Sequence, residues 1–301
     1  MQIDEQITFR KLEVFLCFME LGNMARVAES VGQSPVSVHR ALHSLEEGLR
    51  CPLFRRDGRK LIPLAAAYAF AEHAARAVRE CADGIEKARE AGGFSAARMR
   101  IGALYSLTVR TIPQLLMRLK TRRPDLDVEL TLGSNRDLLH KLNEGRLDAI
   151  VIALQPADVY PDLVAIPMFD DEICFAAPLN SPFADRAEID LRDLRAEKFV
   201  SLGDDFATYR DFMHAFERAG FQPNIAMRVG DILSLTNLVG GGVGYALLPR
   251  RVADFSPQVK FIPLAARYAV SQRITLLVPK NRERSPNLLA LAAECRMFKR
   301  R

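Results

Sequence analysis

The chain has 301 residues, 49% of them apolar and 26% charged, with a net charge of +5. This length exceeds what one hydrophobic core usually organises, so we expect at least two domains. No apolar run could cross a bilayer and the N-terminal residues lack the pattern of a signal peptide, so the sequence predicts a cytoplasmic protein without membrane contact. Five scattered cysteines argue against a disulfide framework or a zinc site, and the mild basicity permits a nucleic-acid partner.

Three short helices are predicted between residues 9 and 50. Apolar residues recur at helical spacing in the first, and Asn23 can cap a second that ends before Gly32. Ser34 can then cap a third helix, with Pro35 in the first turn, where its missing N–H is tolerated. Two helices joined this tightly are the skeleton of a helix-turn-helix.

The third helix divides into an apolar and a polar face. The apolar stripe consists of Val38, Leu42, Leu45 and Leu49. The other face is suited to reading a major groove, which makes its residues candidate contacts to double-stranded promoter DNA: Ser34, Pro35, Val36, Ser37, His39, Arg40 and His43. When this helix is considered alone, an ordinary solvated face explains the pattern equally well.

A basic hairpin is predicted directly after the third helix. Asp57-Gly58 is a strong signal for a two-residue hairpin turn, and cations stand on both sides of it: Arg55, Arg56, Arg59 and Lys60. Such cations suit contact with phosphates, so Arg55, Arg56 and Arg59 join the candidate DNA contacts. The alternative, a charged solubilising edge, loses weight because the hairpin follows a helix-turn-helix. The two features together predict a winged helix at residues 1–63.

A long helix with a heptad seam is predicted at residues 64–91. The seam alternates spacings of four and three: Leu64, Tyr68, Ala71, Ala75, Val78, Ala82 and Ile85. Its small residues allow a second helix to approach closely, so we interpret it as a linker that dimerises two copies of the chain. The alternative is packing against the chain's own domain. Gly92 and Gly93 mark its end.

Strands and helices alternate from residue 98 onward, which predicts an α/β domain at 92–301. The rhythm indicates a mostly parallel sheet, with a ligand cleft beyond the carboxyl ends of its strands. It recurs after Phe199, so we expect two subdomains that face each other across this cleft. The first is placed at about 98–167 and 268–301, and the second at about 168–267.

Helix N-termini in this cleft would favour an anionic small-molecule effector. The candidate effector-binding residues follow predicted strands or precede a predicted helix: Ser106, Thr108, Ser134, Asn135, Leu202 and Phe206. The hydroxyl groups among them are explained nearly as well as helix caps.

No enzyme, cofactor or metal site is predicted. No motif joins a nucleophile to a base and an orienting group, so no catalytic residue is assigned. The glycine-rich segment 240–244 leads into a strand and lacks the lysine of a phosphate-binding loop, so we interpret it as a tight turn. His39 and His43 have no nearby thiol or carboxylate cluster to complete a metal site. The rival hypothesis is an enzyme or solute-binding protein built on the C-terminal fold, which would give no electrophoretic shift of DNA.

The sequence resembles the LysR-type transcriptional regulators along essentially its whole length. The matching motifs include Phe9-Arg10-Lys11-Leu12, Pro52-Leu53-Phe54-Arg55, Gly145-Arg146-Leu147-Asp148 and Gly242-Val243-Gly244-Tyr245. The resemblance implies a winged helix-turn-helix, a dimerising linker helix and a two-subdomain effector domain similar to type 2 periplasmic binding proteins. It also implies a homodimer or homotetramer that controls promoters, with contact to RNA polymerase.

The recognition helix departs from the common pattern of this family. Ser34-Pro35-Val36 stands where Ser-Gln-Pro is common, and His39 replaces a common serine, so base preferences do not transfer. The segments from Ser34 to Leu42 and from Gly48 to Pro52 resemble regulators of malonate-decarboxylase operons. That resemblance implies malonate or another small carboxylate as the effector, and Ser106 matches a position where the family usually places a pocket hydroxyl.

Overall fold

The computed structural model divides into two compact units, between Ser95 and Ala96. The described residues are 3–58, 60–92, 98–155 and 157–298. Among them, no helix has the length and apolar character that a membrane span requires. The finer division into a winged helix, a linker and an effector domain stays a prediction.

The first unit contains the predicted helices and hairpin. Its elements are α1 (Phe9–Leu21), α2 (Met24–Ser30), α3 (Pro35–Leu49), β1 (Phe54–Asp57), β2 (Lys60–Pro63) and α4 (Ala65–Ala91). Asn23 Oδ1 accepts hydrogen bonds from the first turn of α2, and Ser34 Oγ accepts one from the Ser37 N–H at 3.1 Å. Both predicted caps are therefore confirmed.

An aromatic core joins these elements. The ring of Phe54 on β1 lies 5.1 Å from that of Phe18 and 6.0 Å from that of Phe15, both on α1. The Val38 and Leu45 side chains of α3 are fully buried in the same core. This packing fixes the hairpin and α3 against α1, so the polar face of α3 is turned to solvent.

The hairpin turn begins one residue later than the Asp57-Gly58 pair predicted. Asp57 pairs with Lys60 in the β1–β2 ladder, so the turn lies between these two residues. Gly58 has φ +59°, a left-handed conformation that glycine adopts without steric cost. The predicted phosphate contact Arg59 and the predicted helix terminator Gly93 lie outside the described residues.

The long helix α4 packs against the core of its own unit and also has an exposed face. Ala67 and Ala74 are buried, and Phe70 packs against the core of this unit. Two members of the predicted seam, Ala71 and Val78, also pack there. The alternative of packing against the chain's own domain therefore holds for part of the seam, while its members Tyr68 and Ile85 are at least half exposed.

The second unit is a mixed sheet covered by helices. Its strands are β3 (Arg98–Leu104), β4 (Asp127–Gly133), β5 (Ala149–Leu154), β6 (Leu163–Pro178), β7 (Lys198–Leu202), β8 (Asn224–Val229), β9 (Ala246–Pro249), β10 (Val259–Pro263) and β11 (Ser271–Pro279). Its helices are α5 (Thr111–Arg122), α6 (Asn135–Asn143), α7 (Ala207–Ala219), α8 (Ile232–Gly240) and α9 (Pro286–Phe298). Strands β8, β10 and β11 and helix α9 were not among the predicted elements.

The prediction of a mostly parallel sheet is wrong. The seven-stranded sheet has the order β10-β6-β11-β5-β3-β4, with β9 also paired to β6. Only β3–β4 and β3–β5 are parallel in it. The long strands β6 and β11 pair antiparallel with each other and with their other neighbours, because each runs through both halves of the unit.

Two cores flank these long strands. In one half, Ile101, Leu138 and Leu291 are fully buried among residues of β3, α6 and α9. In the other half, the Phe199 ring lies 4.9 Å from that of Phe216. Because each half has its own core, the surfaces where the two halves face each other are free to hold polar groups.

Candidate functional site

The N-terminal half of α3 presents the predicted DNA-reading side chains to solvent. Ser34, Pro35, Ser37 and Arg40 are exposed, and Val36 is 69% exposed. An apolar side chain at such a position can contact a thymine methyl group, while serine and arginine can hydrogen bond to base edges. These roles stay predictions.

A hydrogen bond connects this helix face to the hairpin. Arg56 Nη2 on β1 lies 2.7 Å from His39 Nε2 on α3. Since the guanidinium can only donate, His39 Nε2 is the acceptor in this contact. His43 lies one turn further along, with its ring 6.5 Å from that of His39 and its Nδ1 3.3 Å from Glu47 Oε1.

The basic residues of the hairpin extend this surface. Arg55 and Arg56 are exposed on β1, next to the face of α3. Side chains on a short strand pair can follow a phosphate backbone while an adjacent helix enters the groove. Within the described ranges, no group of three or more His, Cys, Asp and Glu side chains is arranged to hold a metal ion.

A second candidate site lies inside the second unit, between its two halves. It is a cavity of about 20 Å³, lined by Leu104, Tyr105, Ser106, Gly133, Asn135, Leu202, Phe206, Ala207, Thr208 and Ile232. It stands beyond the carboxyl ends of β3, β4 and β7, where parallel strands place their ligands. A volume of this size holds about one water-sized group.

Four of the six predicted effector residues line this cavity: Ser106, Asn135, Leu202 and Phe206. The other two have local partners. Ser134 Oγ accepts a hydrogen bond from the Asp137 N–H at 3.2 Å and so caps α6. This is the alternative role, a helix cap, that the sequence analysis gave for the hydroxyl groups. Thr108 Oγ1 donates to the Tyr105 carbonyl at 2.7 Å. Whether any of the six binds an effector stays a prediction.

A buried arginine behind Ser106 was missed by the sequence reasoning. Arg251 Nε donates to Ser106 Oγ at 3.0 Å, Nη1 to Asp171 Oδ2 at 2.9 Å, and Nη2 to Gln272 Oε1 at 2.7 Å. Burial lowers the pKa of Arg251 from its ordinary value, and the charge of Asp171 opposes this effect. The one signal in the sequence is a pair of arginines, Arg250 and Arg251, directly after β9.

A buried carboxyl group, which the sequence analysis did not assign to the cleft, also stands near the cavity. Asp211 on α7 is fully buried and accepts from Gln155 Nε2 at 2.6 Å and from Gln272 Nε2 at 2.5 Å. Burial raises the pKa of Asp211, and these two hydrogen bonds oppose the rise. Gln272 Nε2 also lies 3.3 Å from Thr208 Oγ1, which links this group to the cavity wall.

An ion pair holds the two halves together beside the cavity. Arg210 on α7 donates to both carboxylate oxygens of Asp158, at 3.0 and 3.1 Å. Burial alone would raise the pKa of Asp158, but hydrogen bonds from Arg210 and from the Gln155 N–H keep it below its ordinary value. Polar contacts thus connect the two halves of this unit.

Comparison with known proteins relates both units to one family. A family model described as the LysR substrate binding domain matches residues 92–299, and one for bacterial regulatory helix-turn-helix proteins of the lysR family matches residues 9–67. The malonate utilization transcriptional regulator of Klebsiella pneumoniae is 46% identical over 300 residues, which cover 99% of this chain and 97% of that protein. The Hca operon transcriptional activator HcaR of Escherichia coli (strain K12) is 29% identical, with 93% and 94% covered.

Solved structures agree in fold. Full-length CbnR, determined in complex with its target DNA, superposes with a TM-score of 0.73 at 23% identity, covering 97% of this chain and 100% of that one. The effector-binding domain of QuiR, determined with shikimate, gives a TM-score of 0.62 at 19% identity, covering 68% of this chain and 98% of that one.

These matches confirm the predicted fold class, with a winged helix-turn-helix followed by a two-part α/β effector domain. They also confirm a DNA-binding regulator that responds to an effector, and they exclude the rival interpretation as an enzyme. The chain therefore belongs to the LysR family of bacterial transcriptional regulators.

Proposed function

We propose that this regulator controls genes of malonate use, with malonate or another small carboxylate as its effector. The observation that carries the proposal is the 46% identity, over nearly the whole chain, to a malonate utilization transcriptional regulator. The cavity supports an anionic ligand, because the hydroxyl groups of Ser106 and Thr208 and the N-terminus of α7 line it. We infer a cytoplasmic location for this function, since that is where promoter DNA is reached.

In the proposed complex, α3 contacts the DNA bases and the hairpin contacts the DNA backbone. Arg40 and its neighbours on α3 contact base edges, and Arg55 and Arg56 contact phosphates. We infer that two or four copies of the chain act together, because paired recognition helices read two half-sites one helical turn apart. The exposed residues Tyr68 and Ile85 on α4 suit contact with a second copy.

An electrophoretic shift with the DNA directly upstream of the chain's own gene tests DNA reading. The wild-type chain shifts this fragment, and Arg40→Ala weakens specific binding at least tenfold, since a good base contact contributes about 1–3 kcal/mol. Arg284→Ala is the matched control, because it removes an equal charge from an exposed position in the other unit. Equal loss in both variants, or no shift by the wild-type chain, contradicts the assignment of α3.

Isothermal titration with malonate, beside succinate and acetate, tests the effector. Malonate binds saturably, and Ser106→Ala weakens this binding at least fivefold because it removes a hydroxyl from the cavity wall. Thr108→Ala removes a hydroxyl two residues away that does not line the cavity, so it keeps the wild-type affinity. No heat with any of the three acids, from protein that still shifts DNA, discards the effector and leaves the DNA-binding regulator.

A further inference from the structure

We propose that the effector carries a hydrogen-bond donor as well as a carboxylate, and that Asn135 selects for this donor. The inference rests on the proposed function, since it specifies which small acid fits the same cavity. It predicts a monoanionic ligand with a second polar end that offers an O–H or N–H group.

The orientation of the Asn135 carboxamide is fixed by the protein. Its Nδ2 donates to the Ala153 carbonyl at 2.7 Å, and a carbonyl can only accept, so nitrogen and oxygen cannot be exchanged. The residue is 7% exposed and lines the cavity. Its Oδ1 is buried and has no hydrogen-bond partner among the described residues. A buried acceptor left in this way is costly, and a ligand that donates to it removes that cost.

The other polar groups of the wall have the opposite preference. Ser106 Oγ accepts from Arg251 Nε and Thr208 Oγ1 accepts from Gln272 Nε2, so both hydroxyl protons are directed to other acceptors. Helix α7 begins beside them, and no side chain caps its first turn. The first N–H groups of a helix have no acceptor within the helix, and together they favour a negative charge.

These groups define a ligand with two different ends. A carboxylate suits the hydroxyl groups and the N-terminus of α7, and a donor suits Asn135 Oδ1. A second carboxylate would place an acceptor against this acceptor, and the cation behind the wall, Arg251, is already paired with Asp171. Hydroxy acids, amido acids and the singly protonated form of a diacid such as malonate meet both requirements.

The cleft must widen for such a ligand. The cavity as it stands admits about one water-sized group. The Arg210–Asp158 ion pair joins the two halves of the unit, so we expect it to separate when the cleft widens for a ligand of three or four carbons. The selectivity of Asn135 does not depend on this movement, since its bond to Ala153 lies within one half of the unit.

Titration calorimetry on the full chain at pH 8 tests the selectivity. The pair 3-hydroxypropionate and butyrate differ by a hydroxyl in place of a methyl group, and the pair malonamate and malonate differ by an amide in place of a carboxylate. We expect the donor-bearing member of each pair to bind at least fivefold more tightly, about the effect of one net hydrogen bond. Butyrate binding as tightly as 3-hydroxypropionate overturns the inference without use of any variant.

Asn135→Leu assigns the effect to the residue. The variant keeps the number of side-chain heavy atoms but removes the acceptor, so we expect the ratio of the affinities for 3-hydroxypropionate and butyrate, both measured on this variant, to lose the fivefold preference. A variant that keeps the preference for 3-hydroxypropionate also overturns the inference. Binding of malonate without any preference for donors overturns the inference and retains the proposed function, whereas no binding of any acid by chain that shifts DNA overturns both.

Discussion

The exposed face of α3 and the cavity region of the second unit both contain polar side chains, but these side chains stand in opposite environments. Val36, Ser37 and Arg40 stand in solvent, where DNA can supply their partners. Ser106 and Asp211 are buried, and protein groups already bond to them. A surface that binds a large charged partner can leave its polar groups to hydrogen bond with solvent. In a buried site, most polar groups must form hydrogen bonds within the protein before a ligand arrives.

The largest effect is expected from the buried ion pair behind the cavity. Asp171→Asn leaves the charge of Arg251 buried without its partner, and we expect the free energy of unfolding to fall by about 3 kcal/mol or more. The side chains of Arg251 and Asp171 are only 9% and 11% exposed. Urea unfolding of the full chain measures the loss, when the unfolding transition of the second unit is monitored.

The adjacent residue gives a matched control. Asp170 pairs with Arg273, and both side chains are more than half exposed. Asp170→Asn should therefore cost less than about 1 kcal/mol. Equal losses for the two variants would mean that burial does not distinguish these sites.

A pH dependence is expected from a second buried carboxylate, Asp148. Burial alone would raise its pKa, but hydrogen bonds from Arg100 and the charge of Arg282 keep the pKa below its ordinary value of 3.8. The ionised form thus stabilises the fold above about pH 4, and this contribution is lost as the pH falls through the lowered pKa.

Asp148→Asn tests this dependence. Near neutral pH we expect a loss of about 2 kcal/mol in the free energy of unfolding, because bonds to a charged group are lost. The difference from wild type should shrink as the pH falls below 4. A loss that stays constant down to pH 2 would contradict an ionic origin.

A smaller effect on stability is expected on α3. Ser34→Ala removes the cap bond to the Ser37 N–H and should cost about 1 kcal/mol. Arg40→Ala, on the exposed face of the same helix, should change stability by less than about 0.5 kcal/mol while it weakens operator binding. Thermal unfolding of the two variants, beside their affinity for operator DNA, separates folding from reading. A large loss of stability in Arg40→Ala would show that this side chain stabilises the fold and is not available only for DNA contact.

The smallest effect on the fold is expected in the hairpin. Arg55→Ala with Arg56→Ala should leave stability nearly unchanged and weaken specific and non-specific DNA binding by similar factors. The slope of log affinity against log salt should decrease by about two, one for each lost phosphate contact. If only the specific complex weakens, these arginines read bases or DNA shape instead.

The sequence predicted the two regions unequally, for a physical reason. The bounds and caps of α2 and α3 follow from local signals, such as Asn23 and Ser34, that act within three residues. Ser106 and Asn135 could be placed because they directly follow strands. Arg251 could not be, since it lies 145 residues from Ser106 and they meet only when the two halves are folded. Helix α9 was missed because it is apolar on nearly every side and has no polar stripe.

Control of DNA binding by the effector is tested most directly by titrating operator DNA into the chain with and without malonate. The operator is the fragment upstream of its own gene, and fluorescence anisotropy gives the affinity. An effector can change DNA binding only through different affinities for the two states of the protein. We predict that malonate changes the operator affinity at least fivefold in the wild-type chain, and that Ser106→Ala binds the operator normally but loses this response. An operator affinity that is the same with and without saturating malonate would contradict the account.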